Sequence, residues 1–236
     1  MLRNIRVVIA VVALVAVVGV GVFLYMTRGI AAPSTDIQSS VTQLEVSTSA
    51  SADTTLFRIS QDESQVEYNI YELLNGADKT VVGTTSEVAG DILVNLSDLS
   101  QTTLGEISIN ARTFATDEER RDNSVARFIL QSESDANEFI TFVPTTISGL
   151  EGSASVGDTL TFTVTGDLTI AGTTQAVTFD VTAAMDTADT LTGSAETTVL
   201  RSDFNLSIPN VPFVANVGDE VTLKLNFTAN AVTEAA

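Results

Sequence analysis

The sequence predicts an all-β fold: an antiparallel sheet of strands with one apolar face each, accompanied by one short helix and preceded by a transmembrane helix. Three observations lead there. Residues 159–183, TLTFTVTGDLTIAGTTQAVTFDVTA, place apolar residues at every second position on both sides of a turn, the period of a half-buried strand. Residues 7–26, VVIAVVALVAVVGVGVFLYM, carry no charge. Within DEERRDNSVARFILQ, residues 117–131, the apolar spacing changes to i, i+3, i+4, the period of a helix.

The uncharged run comes first. Its 20 residues make a helix of roughly 30 Å, the depth of bilayer hydrocarbon. A cleaved signal peptide is the alternative; it has a shorter apolar region, and its cleavage site would be Gly29-Ile30-Ala31, beside Arg28. Arg3 and Arg6 precede the run and Arg28 follows it. Cytoplasmic flanks carry the Lys/Arg excess, so residues 1–28 read as a single-pass anchor in the cytoplasmic membrane, with the C-terminal part on the extracytoplasmic side. All 30 acidic residues lie beyond Arg28 with only 8 of the 11 basic ones, which leaves residues 29–236 at −22. Such a charge repels nucleic-acid phosphates and anionic headgroups. Nucleic acid is therefore not expected as a partner, and the membrane is met through the N-terminal helix.

Residues 29–55 are rich in Ser, Thr and Ala with no sustained period, and read as a flexible linker. A strand over Val41–Val46 is the alternative. The domain proper spans 56–236. Val66, Tyr68 and Ile70 alternate with polar neighbours, then Val88, Gly90, Ile92, Val94 and Leu96, then Ile107 and Ile109. Ile140 and Phe142 lead into the 159–183 hairpin, and Val221, Leu223, Leu225 and Phe227 close the series. Seven to nine strands fit, punctuated by the turn signals NGAD, AGTT and NVGDE. Gly166, in mid-strand, marks a bulge or a close approach by a ligand, and the bulge is the expectation.

The one helix belongs at Asp117–Gln131, where Val125, Phe128 and Ile129 follow an acidic cluster suited to a helix N-terminus. A one-faced antiparallel sheet must pack on a second sheet or close on itself. Pattern does not choose between them, but roughly 175 residues exceed the ~100 of a seven-stranded sandwich and lean toward a barrel of about eight strands.

The chain has no His and no Cys, which removes disulfides, thiolate catalysis and the commonest general base and metal ligand. Asp62, Glu63, Asp117, Glu118, Glu119, Glu133 and Asp135 sit in polar or turn-like positions and read as solvated surface. No Ca²⁺-loop pattern occurs. Lys79 and Lys224, the bases left for an abundance of hydroxyls, stand in polar contexts. The glycines of GDLTIAG open no helix and cradle no phosphate. No catalytic residue, metal or cofactor is expected. Arg120, Arg121 and Asp122 have two readings, a polar rim at a cavity mouth or structural pairing of the helix start with the sheet; the second is preferred.

Four segments in order carry a resemblance: SQVEYNIYELLNG with VVGTTSEVAGDILVN, RTFATDEERRDNSVARFIL, VTGDLTIAGTTQAVTFDV, and LRSDFNLSIPNVPFVANVGDEVTLKLNF. Together they resemble the YceI-like family of exported lipid-binding proteins over about residues 56–231. The resemblance implies a lipocalin-like barrel of about eight strands with a helix, an apolar channel, a long isoprenoid chain as ligand and no reaction. Arg121 and Asp122 match the family's Arg-Asp pair. Ser124 stands where a histidine often follows that pair, the usual Tyr-Pro pair is missing around Asn137–Ile140, and Asn205 replaces a glycine.

The expected function is thus non-catalytic binding of an isoprenoid or similar apolar lipid, for storage, transport or protection; the alternative is a structural or adhesive β-module with a filled core. Each five-carbon isoprene unit buried would contribute on the order of 3–4 kcal/mol before entropic costs. The candidate lumen residues are Tyr68, Ile92, Ile109, Phe142, Phe162, Val164, Phe179, Leu223 and Leu225, with Arg121 and Asp122 as a candidate polar rim. By pattern alone, any of the nine is equally an ordinary core residue.

Overall fold

Alternating apolar residues build one curled antiparallel sheet in the structure, a computed structural model that describes residues 34–45, 54–209 and 214–232. The predicted transmembrane helix, residues 1–28, lies outside the described residues, and no described helix is long and apolar enough to cross a membrane. The strands are β1 (Thr54–Ile59), β2 (Gln65–Leu74), β3 (Ala77–Thr85), β4 (Val88–Ala89), β5 (Asp91–Asn95), β6 (Thr103–Leu104) and β7 (Ile107–Asn110). After the helical segment come β8 (Phe139–Ser148), β9 (Thr159–Ile170), β10 (Thr173–Thr187), β11 (Thr190–Leu200), β12 (Val214–Ala215) and β13 (Glu220–Ala231).

These segments are fewer strands than they look. A 3₁₀ turn at Gln61–Glu63 breaks one long strand into β1 and β2, and both pair with β13, through Ile59↔Ala229 and Val66↔Leu225. In the same way β3, β4 and β5 run in succession, with β3 on β2 and β5 on β1. β4 reaches across to β7 through Val88↔Ile109 and Ala89↔Ser108. From β7 the order continues β8-β9-β10-β11-β13 back to β1. The sheet thus curls until its pairings return to their start, and the β4·β7 seam is only two residue pairs long.

Turn chemistry fixes register. Asn75-Gly76, φ 52° and 80°, joins β2 to β3, and Ala171-Gly172, φ 47° and 77°, joins β9 to β10. Two-residue hairpin loops with both φ positive match the twist of the strands and favour Asn-Gly. An alanine held at positive φ costs energy that asparagine largely avoids. Ala171→Asn is therefore expected to stabilise the chain by about 0.5–1 kcal/mol, read as a higher midpoint in urea.

The predicted helix, Asp117–Gln131, is shorter at both ends. Glu119–Ser124 forms α1 and runs into a π-helical turn, Val125–Ile129. The i, i+3, i+4 spacing puts Val125, Phe128 and Ile129 on one face of a regular helix. Wider π spacing instead turns Val125, Ile129 and Leu130 toward the sheet interior and leaves Phe128 52% exposed.

Within the expected 29–55 linker, residues 34–45 are docked on the sheet rather than free of it. Thr35 N donates to Glu138 Oε1 at 2.6 Å, Ser40 Oγ to Ser108 Oγ at 2.8 Å, and Leu44 N to Asp91 Oδ2 at 2.9 Å. Ile37 and Val41 pack with Ala89 and Phe139. Ile107 and Ile109 face the interior, so Ser108 between them faces out, and the segment lies as a strap over the outside of the β4·β7 seam. The alternative strand at Val41–Val46 is absent over the described residues 41–45.

Candidate functional site

The inward positions of the strands enclose two adjoining cavities. The inner one has a volume of about 170 Å³. Every second residue of β9 from Leu160 to Ile170, Gly166 apart, contributes to its wall, as do Phe179 and Val181 of β10 and Leu223, Leu225 and Phe227 of β13. Tyr68, Ile92, Ile109, Phe142, Phe162, Val164, Phe179, Leu223 and Leu225, the nine residues the alternation put forward, all stand on this wall. Charged residues there have partners of their own: Asn69 Nδ2 donates to Glu67 at 2.6 Å, Lys224 pairs with Glu196 at 3.2 Å, and Ser155 N donates to Asp158 at 2.8 Å.

Glycines make room for the aromatic part of the wall. A Cβ on Gly193 would lie 2.5 Å from Thr182 O and 2.6 Å from the Phe227 ring; one on Gly166 would lie 2.5 Å from Val143 O and 2.6 Å from the Phe142 ring. The expected bulge at Gly166 is in fact on the neighbouring strand, where β8 shifts register between Pro144 and Thr146. Gly166 itself pairs regularly with Val177 and is glycine because of that close approach. Gly83 differs, since the nearest atoms a Cβ there would strike all belong to the ring end of Tyr68, its cross-strand partner. Gly166→Ala and Gly193→Ala are each expected to cost about 1–3 kcal/mol in urea denaturation, because a backbone oxygen cannot yield. Gly83→Ala costs less, because a ring can turn.

The outer cavity, about 570 Å³, shares Tyr68, Phe114, Ile140, Ile170 and Leu223 with the inner one. The Tyr68 and Phe114 rings mark the boundary, their centroids 5.4 Å apart. Here apolar Leu74, Val81, Leu206 and Val221 are joined by Glu72, Lys79, Arg120 and Arg121. Arg121 lies on this rim and is bound to the sheet, its guanidinium 3.1 Å from Glu72 Oε1 on β2. It also bonds Asp117, which holds Lys79 Nζ at 2.6 Å. Lys79 and then Arg121 keep the Asp117 carboxyl below the usual carboxylate range. Asp122 does not reach the cavity; it accepts from Thr116 N at 2.8 Å and Thr116 Oγ1 at 2.6 Å, holding the turn into α1. The two rim candidates thus separate into one wall residue and one turn residue.

Sequence reading passed over Glu72, although it continues the even-numbered face of Val66, Tyr68 and Ile70, and an acid in register with an apolar face was its signal. Arg201 was also missed as a wall residue. It holds two loops together through Gly218 O at 3.0 Å and Leu206 O at 2.9 Å. Of the departures from the family pattern, Asn205 adopts φ 57° and so keeps the left-handed turn. Ser124 lines the outer cavity and bonds Arg120 O at 2.9 Å. Among the described residues no three His, Cys, Asp or Glu side chains are grouped to hold a metal ion.

Residues 57–229 match the family described as the YceI-like domain. No curated protein matched the chain. Among solved structures, BcnA of Burkholderia cenocepacia aligns with TM-score 0.57 at 22% identity, covering 73% of this chain and 99% of that one. A polyisoprenoid-binding domain from Saccharophagus degradans, described as implicated in plant cell wall breakdown, aligns with TM-score 0.56 at 11% identity over 76% and 99%. At such identities these likenesses speak for the fold. The matched segment runs from within β1 into β13 and takes in every cavity residue named above, and by it the chain belongs to the YceI-like family.

Proposed function

We propose that the chain binds an isoprenoid or similar long apolar lipid and catalyses no reaction. In this reading residues 1–28 anchor it in the cytoplasmic membrane, with the sheet domain on the extracytoplasmic side, where it stores, transports or protects its ligand. The observation that carries the proposal is the interior, a hydrocarbon-walled inner cavity of about 170 Å³ adjoining an outer one of about 570 Å³. Hydrocarbon burial is worth about 0.8 kcal/mol per methylene, so a chain of several isoprene units needs no charged contact to be held. The rim supports the same reading: Arg121, Glu72, Asp117 and Lys79 are already paired with one another. Family membership and the polyisoprenoid-binding description of the S. degradans domain add to it. For the location, the support is the uncharged Val7–Met26 run with Arg3 and Arg6 ahead of it.

The experiment is mass spectrometry of an organic extract of the purified full-length chain. A long apolar lipid recovered in stoichiometric amount is the expected result. No co-purifying lipid, together with no uptake of added polyprenol, would instead favour a β-module that binds nothing. Protease added to spheroplasts is expected to degrade the sheet domain, and its survival would overturn the location.

A further inference from the structure

Among the described residues, three buried side-chain polar atoms have no hydrogen-bond partner: Gln38 Oε1, Thr102 Oγ1 and the Tyr68 hydroxyl. Gln38 is in the strap. Thr102 and Tyr68 line the inner cavity, and only Tyr68 also lines the outer one. An unmet buried donor costs on the order of 1–3 kcal/mol and calls for an explanation. On the inner side water does not supply one readily, because a buried water needs two to four polar partners and that wall is hydrocarbon. The nearest charged groups are already committed, Glu72 to Arg121 and Asp122 to Thr116.

The seat of the ring is equally specific. Tyr68 pairs with Gly83, and both its ring and its hydroxyl lie over that bare backbone. No hydrogen bond holds the hydroxyl there, so turning the ring into the lumen breaks none. Burial, and then the Asp122 charge, push the phenol up to about 12, which keeps it a proton donor at physiological pH.

We propose that Tyr68 selects the ligand's polar end: its hydroxyl donates a hydrogen bond to an oxygen acceptor on the bound lipid, at the boundary between the two cavities. Tyr68 is then the side chain by which the fold tells such a lipid from a plain hydrocarbon. This rests on the lipid-binding reading and narrows it.

The test compares two probes of equal tail length on the full-length chain, a prenylated benzoquinone and the corresponding isoprenoid hydrocarbon. Tyr68→Phe is expected to weaken quinone binding about tenfold while leaving the hydrocarbon nearly unaffected. Its Tm is expected to hold or rise, since an unmet donor has been removed. An unchanged quinone-to-hydrocarbon ratio with both probes bound overturns this proposal alone. A lowered Tm overturns it too, by revealing a partner for the hydroxyl within the fold. If the wild-type chain takes up neither probe, the lipid-binding reading falls with it.

Discussion

An Arg112→Ala chain is expected to lose about 3–5 kcal/mol of stability, more than any other single substitution considered for this fold. The Arg112 side chain is 3% exposed and lies 3.1 Å from Glu138 Oε2, itself 5% exposed; its Nε also donates to Ser132 O at 2.6 Å. Charges this far from water are tolerated because each neutralises the other. Removing one leaves the second buried and uncompensated, which is worse than having neither. Asp135, the other carboxylate on Arg112, is 94% exposed and adds little. The damage should extend beyond the pair, since Glu138 also accepts from Thr35 N in the strap over the β4·β7 seam. Urea denaturation measures the loss, and faster hydrogen exchange over residues 34–41 would report strap release. A double Arg112→Leu, Glu138→Leu chain is expected to be more stable than Arg112→Ala alone. If the single variant loses less than about 1 kcal/mol, the pair is not the buried device described.

How legible this was depends on the physics of each part. The β9–β10 hairpin could be read off because large apolar residues alternate from Leu160 to Ile170, Gly166 apart, and resume at Val177. The strap could not, because its anchors Glu138, Asp91 and Ser108 are distant in sequence and a Ser/Thr-rich segment shows no period. Arg112 looked like any surface arginine, since burial of a charge is decided by what folds over it. β11 is the most instructive omission. Its inward positions between Leu191 and Val199 are Gly193, Ala195 and Thr197, small residues that leave no hydrophobic alternation to find. The same smallness helps keep the lumen open beside Leu223, Leu225 and Phe227 of β13. A period-two reading finds walls and is blind to the strand that leaves space.

Filling that space should therefore abolish binding without unfolding the protein. Ala195 lies on the inner cavity wall, paired with Val181 and Leu225. In an Ala195→Trp chain an indole would take up a large share of the about 170 Å³ that is open there. Overpacking a full core typically costs about 1–3 kcal/mol; a ring entering a cavity should fall at or below the low end of that range. Uptake of a long apolar chain is expected to drop at least tenfold, because the displaced hydrocarbon loses about 0.8 kcal/mol for each methylene kept out. Thr198→Trp on the outward face of the same strand supplies the control, with the same ring and the same β11 but no intrusion into the lumen. Equal uptake by the two variants would mean that the lipid sits elsewhere. Loss in Ala195→Trp alone, with both chains folded, would locate the hydrocarbon tail in the space left by the small residues of β11.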